Sequence, residues 1–204
     1  MPKGNDTRDR IIETTARLLR RQGYHATGLL QIVQESVAPR GSLYHYFPGG
    51  KEDLAVEALK RGGAEVENEL VDALRSSSNV IEGLKKVGQR VLNTLKTSGF
   101  QDGCPVSTVA LETAAQSPRL QQVCSEMFAR MQRVIAESLQ KDGYPADEAL
   151  DLANIVLCTY EGGLLLARTH QNTWPLEHAL DSLAHLLEAR HARVRAGSES
   201  WHYA

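Results

Sequence analysis

Apolar residues recur at intervals of three and four along almost the whole of this 204-residue chain, and no β-branched run alternates with polar residues. That period gives a helix one apolar side and gives a strand none. In "DTRDRIIETTARLLRRQG" Ile12, Ala16 and Leu19 share a side, Asp6 or Thr7 stands where an N-cap belongs, and Gly23 is a stop. In "TGLLQIVQESV" Leu29, Ile32 and Val33 keep the spacing and Thr27 is placed to cap. Pro39 disfavours helix at Ala38, so "APRG" is a break. A short helix is expected from about Arg40 to Phe47, and a long one from Lys51 to about Arg75, interrupted at Gly62-Gly63. Further helices are expected over 80–98, 105–116, 118–141, 145–169 and from Pro175, the last repeating leucine at 176, 180, 183 and 187. The fold class is all-α, with about nine helices. The end, "RAGSESWHYA", has no period and is read as a disordered tail over 196–204.

Charge is unevenly placed. Residues 1–51 hold eight Lys/Arg against four Asp/Glu, leaving fifteen against twenty-one for the remainder of a chain of net charge −2. A basic head on an acidic body points to a polyanion partner for the head. The three cysteines, Cys104, Cys124 and Cys158, have no framework spacing, which suits a reducing compartment. No secretory leader is read in "MPKGNDTRDR", and no stretch reaches the roughly 18 uncharged apolar residues of a membrane span. The expected location is the cytoplasm. No phosphate-binding glycine loop, HExxH, GxSxG or carboxylate pair stands in a catalytic frame. Neither an enzyme nor a cofactor is expected, and the histidines lack partners at metal-ligand spacing.

The segment "GSLYHYFPGGKEDL" packs Tyr44, Tyr46 and Phe47 into four positions of a chain with only two Trp, six Tyr and three Phe. Three short helices with a Pro-Arg-Gly turn before the third have the make-up of a helix-turn-helix. At about 100° per residue, Leu43 and Phe47 fall on one side of the third helix with Tyr46 beside them. Gly41, Ser42 and His45 point the other way, flanked by Arg40 and Tyr44. The outward side is small or able to hydrogen-bond, as a major-groove helix requires. Gly41 allows a close backbone approach, Tyr44 and His45 can donate to phosphate, and Arg40 can pair with guanine. Lys51 opens the next helix, where cation and free amides together suit a phosphate. With Thr27, these are the expected DNA contacts: Thr27, Arg40, Gly41, Ser42, Tyr44, His45 and Lys51.

"TGLLQIVQESVAPRGSLYHYFPGGKEDL" resembles the DNA-binding signature of the tetracycline-repressor family, and "APRG…FPGGKE" with "GCPVSTVALE" is similar to its lincomycin-resistance-repressor subgroup. The resemblance is strong over 8–60 and loose beyond. It implies a homodimeric repressor on a palindromic operator in double-stranded DNA, released by a small-molecule effector. Residues 1–51 would be the DNA-binding domain and 52–195 the effector-binding and dimerisation domain.

The helices at 146–169 and 175–195 are more apolar than one packing partner can cover, so they are the expected dimer interface. Phe100, Met127, Phe128, Met131, Tyr160 and Trp174 are adaptable or aromatic candidates for an apolar effector site, and equally ordinary core. Cys104 precedes Pro105 at a helix start. It is either a pocket-lining or capping residue or, alternatively, the thiol of a redox- or electrophile-sensing repressor. Cys124 and Cys158 are expected to be buried and inert. Gly62-Gly63 is the expected hinge between the domains.

Overall fold

The computed structural model describes residues 3–199, with side chains from 6 to 194. Among these residues it holds nine helices and no strand: α1 Lys3–Ala26, α2 Leu29–Glu35, α3 Arg40–Tyr46, α4 Lys51–Arg75, α5 Val80–Thr97, α6 Pro105–Thr113, α7 Pro118–Lys141, α8 Ala146–His170 and α9 Trp174–Glu199. The chain forms two compact units. The first is Met1–Val66 with Gln101–Phe128, the second Glu67–Phe100 with Ala129–Ala204, so α4 and α7 each pass from one to the other.

In the first unit α1 supplies the common wall, packing against α2, α3 and α6. Its stripe of Ile11, Ile12, Thr15, Ala16, Leu18 and Leu19 is buried. Thr15 satisfies its hydroxyl within the helix by donating to Ile11 O at 2.7 Å. Val106, Val109 and Thr113 on α6, Ile32 on α2, and Leu43 and Phe47 around the end of α3 are also buried. Ion pairs line this core at its edge, Arg61 with Glu13 at 2.7 Å and Arg8 with Glu57 at 2.9 Å.

The second unit is an assembly of α5, α8 and α9 with the distal parts of α4 and α7. Asn79 caps α5, its side chain accepting from Glu82 N at 2.9 Å, while the Glu82 carboxylate accepts from Ser78 N at the same distance. Leu92 and Leu95 pack with Ala167 and Leu176. Gln171, at φ 52, caps α8 in the left-handed region, and α9 starts three residues later.

Several local expectations give way. Asp6 lies inside α1 and pairs with Arg10 at 2.7 Å instead of capping. Gly62 and Gly63 do not interrupt α4. Both are buried, Gly62 against Pro105 and Ala16, and a Cβ on Gly63 would lie 2.7 Å from Met127 Sδ. Their missing side chains admit neighbours. The leucine repeat of α9 is used within the unit, with Leu176, Leu183 and Leu187 buried. α9 continues to Glu199, so 196–199 of the expected tail are helical, and 200–204 lie outside the described residues. α8 has the length and mean hydropathy of a membrane span, but Asp151 and Glu161 keep it from being an uncharged run, as expected, and 28% of its most apolar stretch is buried in the fold.

Candidate nucleic-acid interface

The α2–α3 turn is built on an uncommon backbone. Val37 has φ 51, a left-handed conformation that a β-branched residue adopts only under strain. Its amide donates to Gln34 O at 3.3 Å, and Ala38 N donates to Val33 O at 3.2 Å. Arg10 Nε donates to Ser36 O at 3.3 Å from α1, and Arg17 pairs with Glu35 at 2.6 Å. The turn is held from outside as well as by its own bonds. Pro39 is the N-cap of α3, with its φ of −59 suited to a helix entry.

On α3 the two sides separate as the angular reading expects. Leu43 and Phe47 are buried and Tyr46 is half-buried, its ring edge-on to Phe47. Arg8 lies over the Phe47 ring, 5.6 Å from its centroid. Arg40, Gly41, Tyr44 and His45 are exposed and Ser42 is half-buried. Tyr44 is 64% exposed, and neither its hydroxyl nor the Arg40 guanidinium has a hydrogen-bond or ionic partner among the described residues. Large polar side chains left unsatisfied on one helix side suit a partner rich in acceptors.

The other two candidates differ. Thr27 is fully buried. Its hydroxyl donates to Gly23 O at 2.6 Å and Gly28 is the N-cap of α2, so the threonine neither caps nor offers a side-chain surface. Lys51 is half-buried at the start of α4. Its ammonium donates to His25 O at 3.3 Å and lies 4.5 Å from the Tyr24 ring centroid. Burial pushes its pKa down, and the Glu112 carboxylate acts in the opposite direction. The turn before α4 is closed by Asp53, which accepts from Gly49 N at 2.7 Å. The Arg119 guanidinium, then that amide, hold its carboxyl below the usual range.

The seven effector candidates divide between the units. Cys104, Met127 and Phe128 fall in the first, and Phe100, Met131, Tyr160 and Trp174 in the second. Cys104 is the buried N-cap of α6. Met127 and Met131 are buried and Phe128 half-buried. Phe100 packs on the Leu92–Leu176 cluster. Tyr160 donates to Leu84 O, and burial raises its pKa. The crevice beside Tyr160, lined also by Leu84, Leu180 and Leu183, encloses only about 10 Å³. Trp174 is 61% exposed, tilted against His178. A cleft of about 360 Å³ elsewhere in the second unit, with Val71, Arg75, Ser77, Val134 and Lys141 among its walls, includes none of the seven. Of the other thiols, Cys124 is buried, with its pKa pushed up to about 11, whereas Cys158 is exposed, contrary to expectation.

Residues 11–58 match the family described as bacterial regulatory proteins, tetR family, and residues 80–182 match the LmrA/YxaF-like transcriptional regulator C-terminal domain. The chain is a transcriptional regulator of the TetR family. It is 39% identical to the helix-turn-helix regulator YxaF of Bacillus subtilis over 176 residues, covering 86% of this chain and 92% of that protein. It is 34% identical to the regulator LmrA of the same organism, covering 90% and 97%. The reduced form of Escherichia coli NemR superposes with a TM-score of 0.75 at 25% identity, covering 87% of this chain and 95% of that one. The subgroup resemblance carried by "APRG" and "GCPVSTVALE" thus holds along the chain, beyond the head.

The strained turn of this TetR-family head has a measurable consequence. Val37→Gly is expected to raise stability by about 1 kcal/mol, since relief of the left-handed strain outweighs the added freedom of the unfolded chain. The check is a higher denaturant midpoint with an unchanged slope.

Proposed function

We propose that this protein is a homodimeric repressor acting in the cytoplasm by binding alone. Its head, residues 1–51, holds a palindromic operator, and residues 52–195 carry dimerisation and a small apolar or aromatic effector that releases it. The observation that carries DNA reading is the division of α3: apolar anchors inside, and Arg40 and Tyr44 outside without a protein partner. Gly41, Ser42, Tyr44 and His45 meet the backbone or groove floor, Arg40 reads a base edge, and Lys51 turns from His25 O towards a phosphate.

The outer face of α8 supports the dimer. Leu150, Ile155, Leu165 and Leu166 are exposed, and with Cys158 and Gly162 they fall within about 160° of arc at about 100° per residue. Leu152, Ala153, Val156 and Ala167 occupy the opposite side and are buried. Around Gly162 a Cβ would meet nothing within 4 Å, which leaves room for a second helix to approach. Two copies joined on this face give the paired heads that half-sites roughly 34–36 Å apart require. α9 contributes Trp174 and a polar outer side.

DNA reading is tested on duplexes enriched from a random library by the wild-type protein. Arg40→Ala with Tyr44→Phe should weaken binding by roughly 10- to 100-fold and reduce the slope of log K against log salt by about one per lost phosphate contact. Unchanged affinity and slope would remove α3 from the interface. For the dimer, Leu165→Glu should give a folded monomer at micromolar concentration by sedimentation, with operator binding lost.

A second reading, release by oxidation or alkylation of Cys104, is favoured by the place of that residue at the N-cap of α6, beside the helix's first backbone amides. Cys104→Ser separates the two. A thiol sensor becomes blind to peroxide and quinones, and an effector sensor still leaves DNA when its ligand is added.

A further inference from the structure

A carboxylate from α6 stands at the bend of α1. Gly23, at φ 78 and ψ −172, breaks the helix, and the chain then resumes a helical turn to Ala26. A turn restarted in this way opens with amides that have no carbonyl behind them. Glu112 Oε2 accepts from one of them, His25 N, at 2.7 Å. It is a cap supplied from 87 residues away in sequence. Gly23 is suited to the place twice over, by its left-handed φ and because a Cβ there would overlap the Glu112 carboxylate.

The capped elbow is also where the head is joined together. Gly23 O accepts the Thr27 hydroxyl at 2.6 Å, which sets the entry to α2. His25 O accepts the Lys51 ammonium at 3.3 Å, and Tyr24 lies under the same ammonium. Three consecutive residues thus tie α6 to the start of α2 and to the first residue of α4.

We propose that Glu112 is a positioning residue for DNA reading: by capping the Gly23–His25 elbow it sets where α2, α3 and Lys51 stand. This rests on α3 being the DNA-contacting helix. The elbow needs an acceptor oxygen at His25 N, and an amide provides one as well as a carboxylate does. A role exerted only through charge predicts no difference between the two variants, because loss of a negative charge near Lys51 would strengthen DNA binding in both.

The experiment compares full-length wild type, Glu112→Ala and Glu112→Gln in two readouts. On duplexes enriched by the wild type, Glu112→Ala should bind about tenfold more weakly, the loss expected of a missing cap, and Glu112→Gln within about twofold of wild type. By amide hydrogen exchange, His25 should be protected in wild type and Glu112→Gln and fast in Glu112→Ala, with the remaining α1 amides unchanged. Equal affinity of all three proteins, equal loss in both variants, or tighter binding by both overturns the proposal. A wild type that enriches no duplex removes the DNA-reading function instead. In that case the His25 amide still decides whether the carboxylate holds the elbow, and equal exchange in wild type and Glu112→Ala overturns it.

Discussion

A helix has a single circumference, and α1 has to share its own among three neighbours. Its buried stripe runs from Ile11 to Leu19, and the helix packs against α2, α3 and α6. Because interiors are close-packed, a change on any of these contacts is felt on the others. The head is therefore not a free three-helix module. Its core is completed by a segment nearly eighty residues further along the chain, which explains why α6 and the first part of α7 belong to the same compact unit.

Much of this arrangement was legible in the residues. Stops and starts with a backbone cause were in place where expected: Gly23 ends a helical run and Pro118 opens α7. The division of α3 followed from angle alone, because a seven-residue helix anchored by Leu43 and Phe47 has few ways to sit. Readings failed where one residue type serves two purposes. Gly62-Gly63 is written the same way whether glycine breaks a helix or admits a neighbour, and only Pro105 and Met127, distant in sequence, decide between them. Thr27 occupies a capping position by pattern, yet its hydroxyl found a nearer acceptor in Gly23 O. The Glu112 cap leaves no local trace, since periodicity reports only neighbours within about one turn.

The candidate effector site was harder to read for a related reason. Methionines and aromatics at helical spacing identify surface that avoids water, not what covers it. Met127 and Met131 are covered by their own fold, whereas Trp174 is left outside it. The charge asymmetry was more informative because it concerns long-range fields. The basic excess lies on the head, and several of its cations, including Arg10 and Arg17, are partly engaged in fixing the turn.

The outward face of α8 has a further consequence. A helix with the mean hydropathy of a membrane span and four large aliphatic residues turned to solvent is poorly suited to life as a single copy. Where covering that face is part of reaching the native state, resistance to unfolding becomes a function of how much protein is present. Newly made chains at low abundance would then be the most vulnerable to degradation, and the cellular dose of the regulator would have a floor set by mass action.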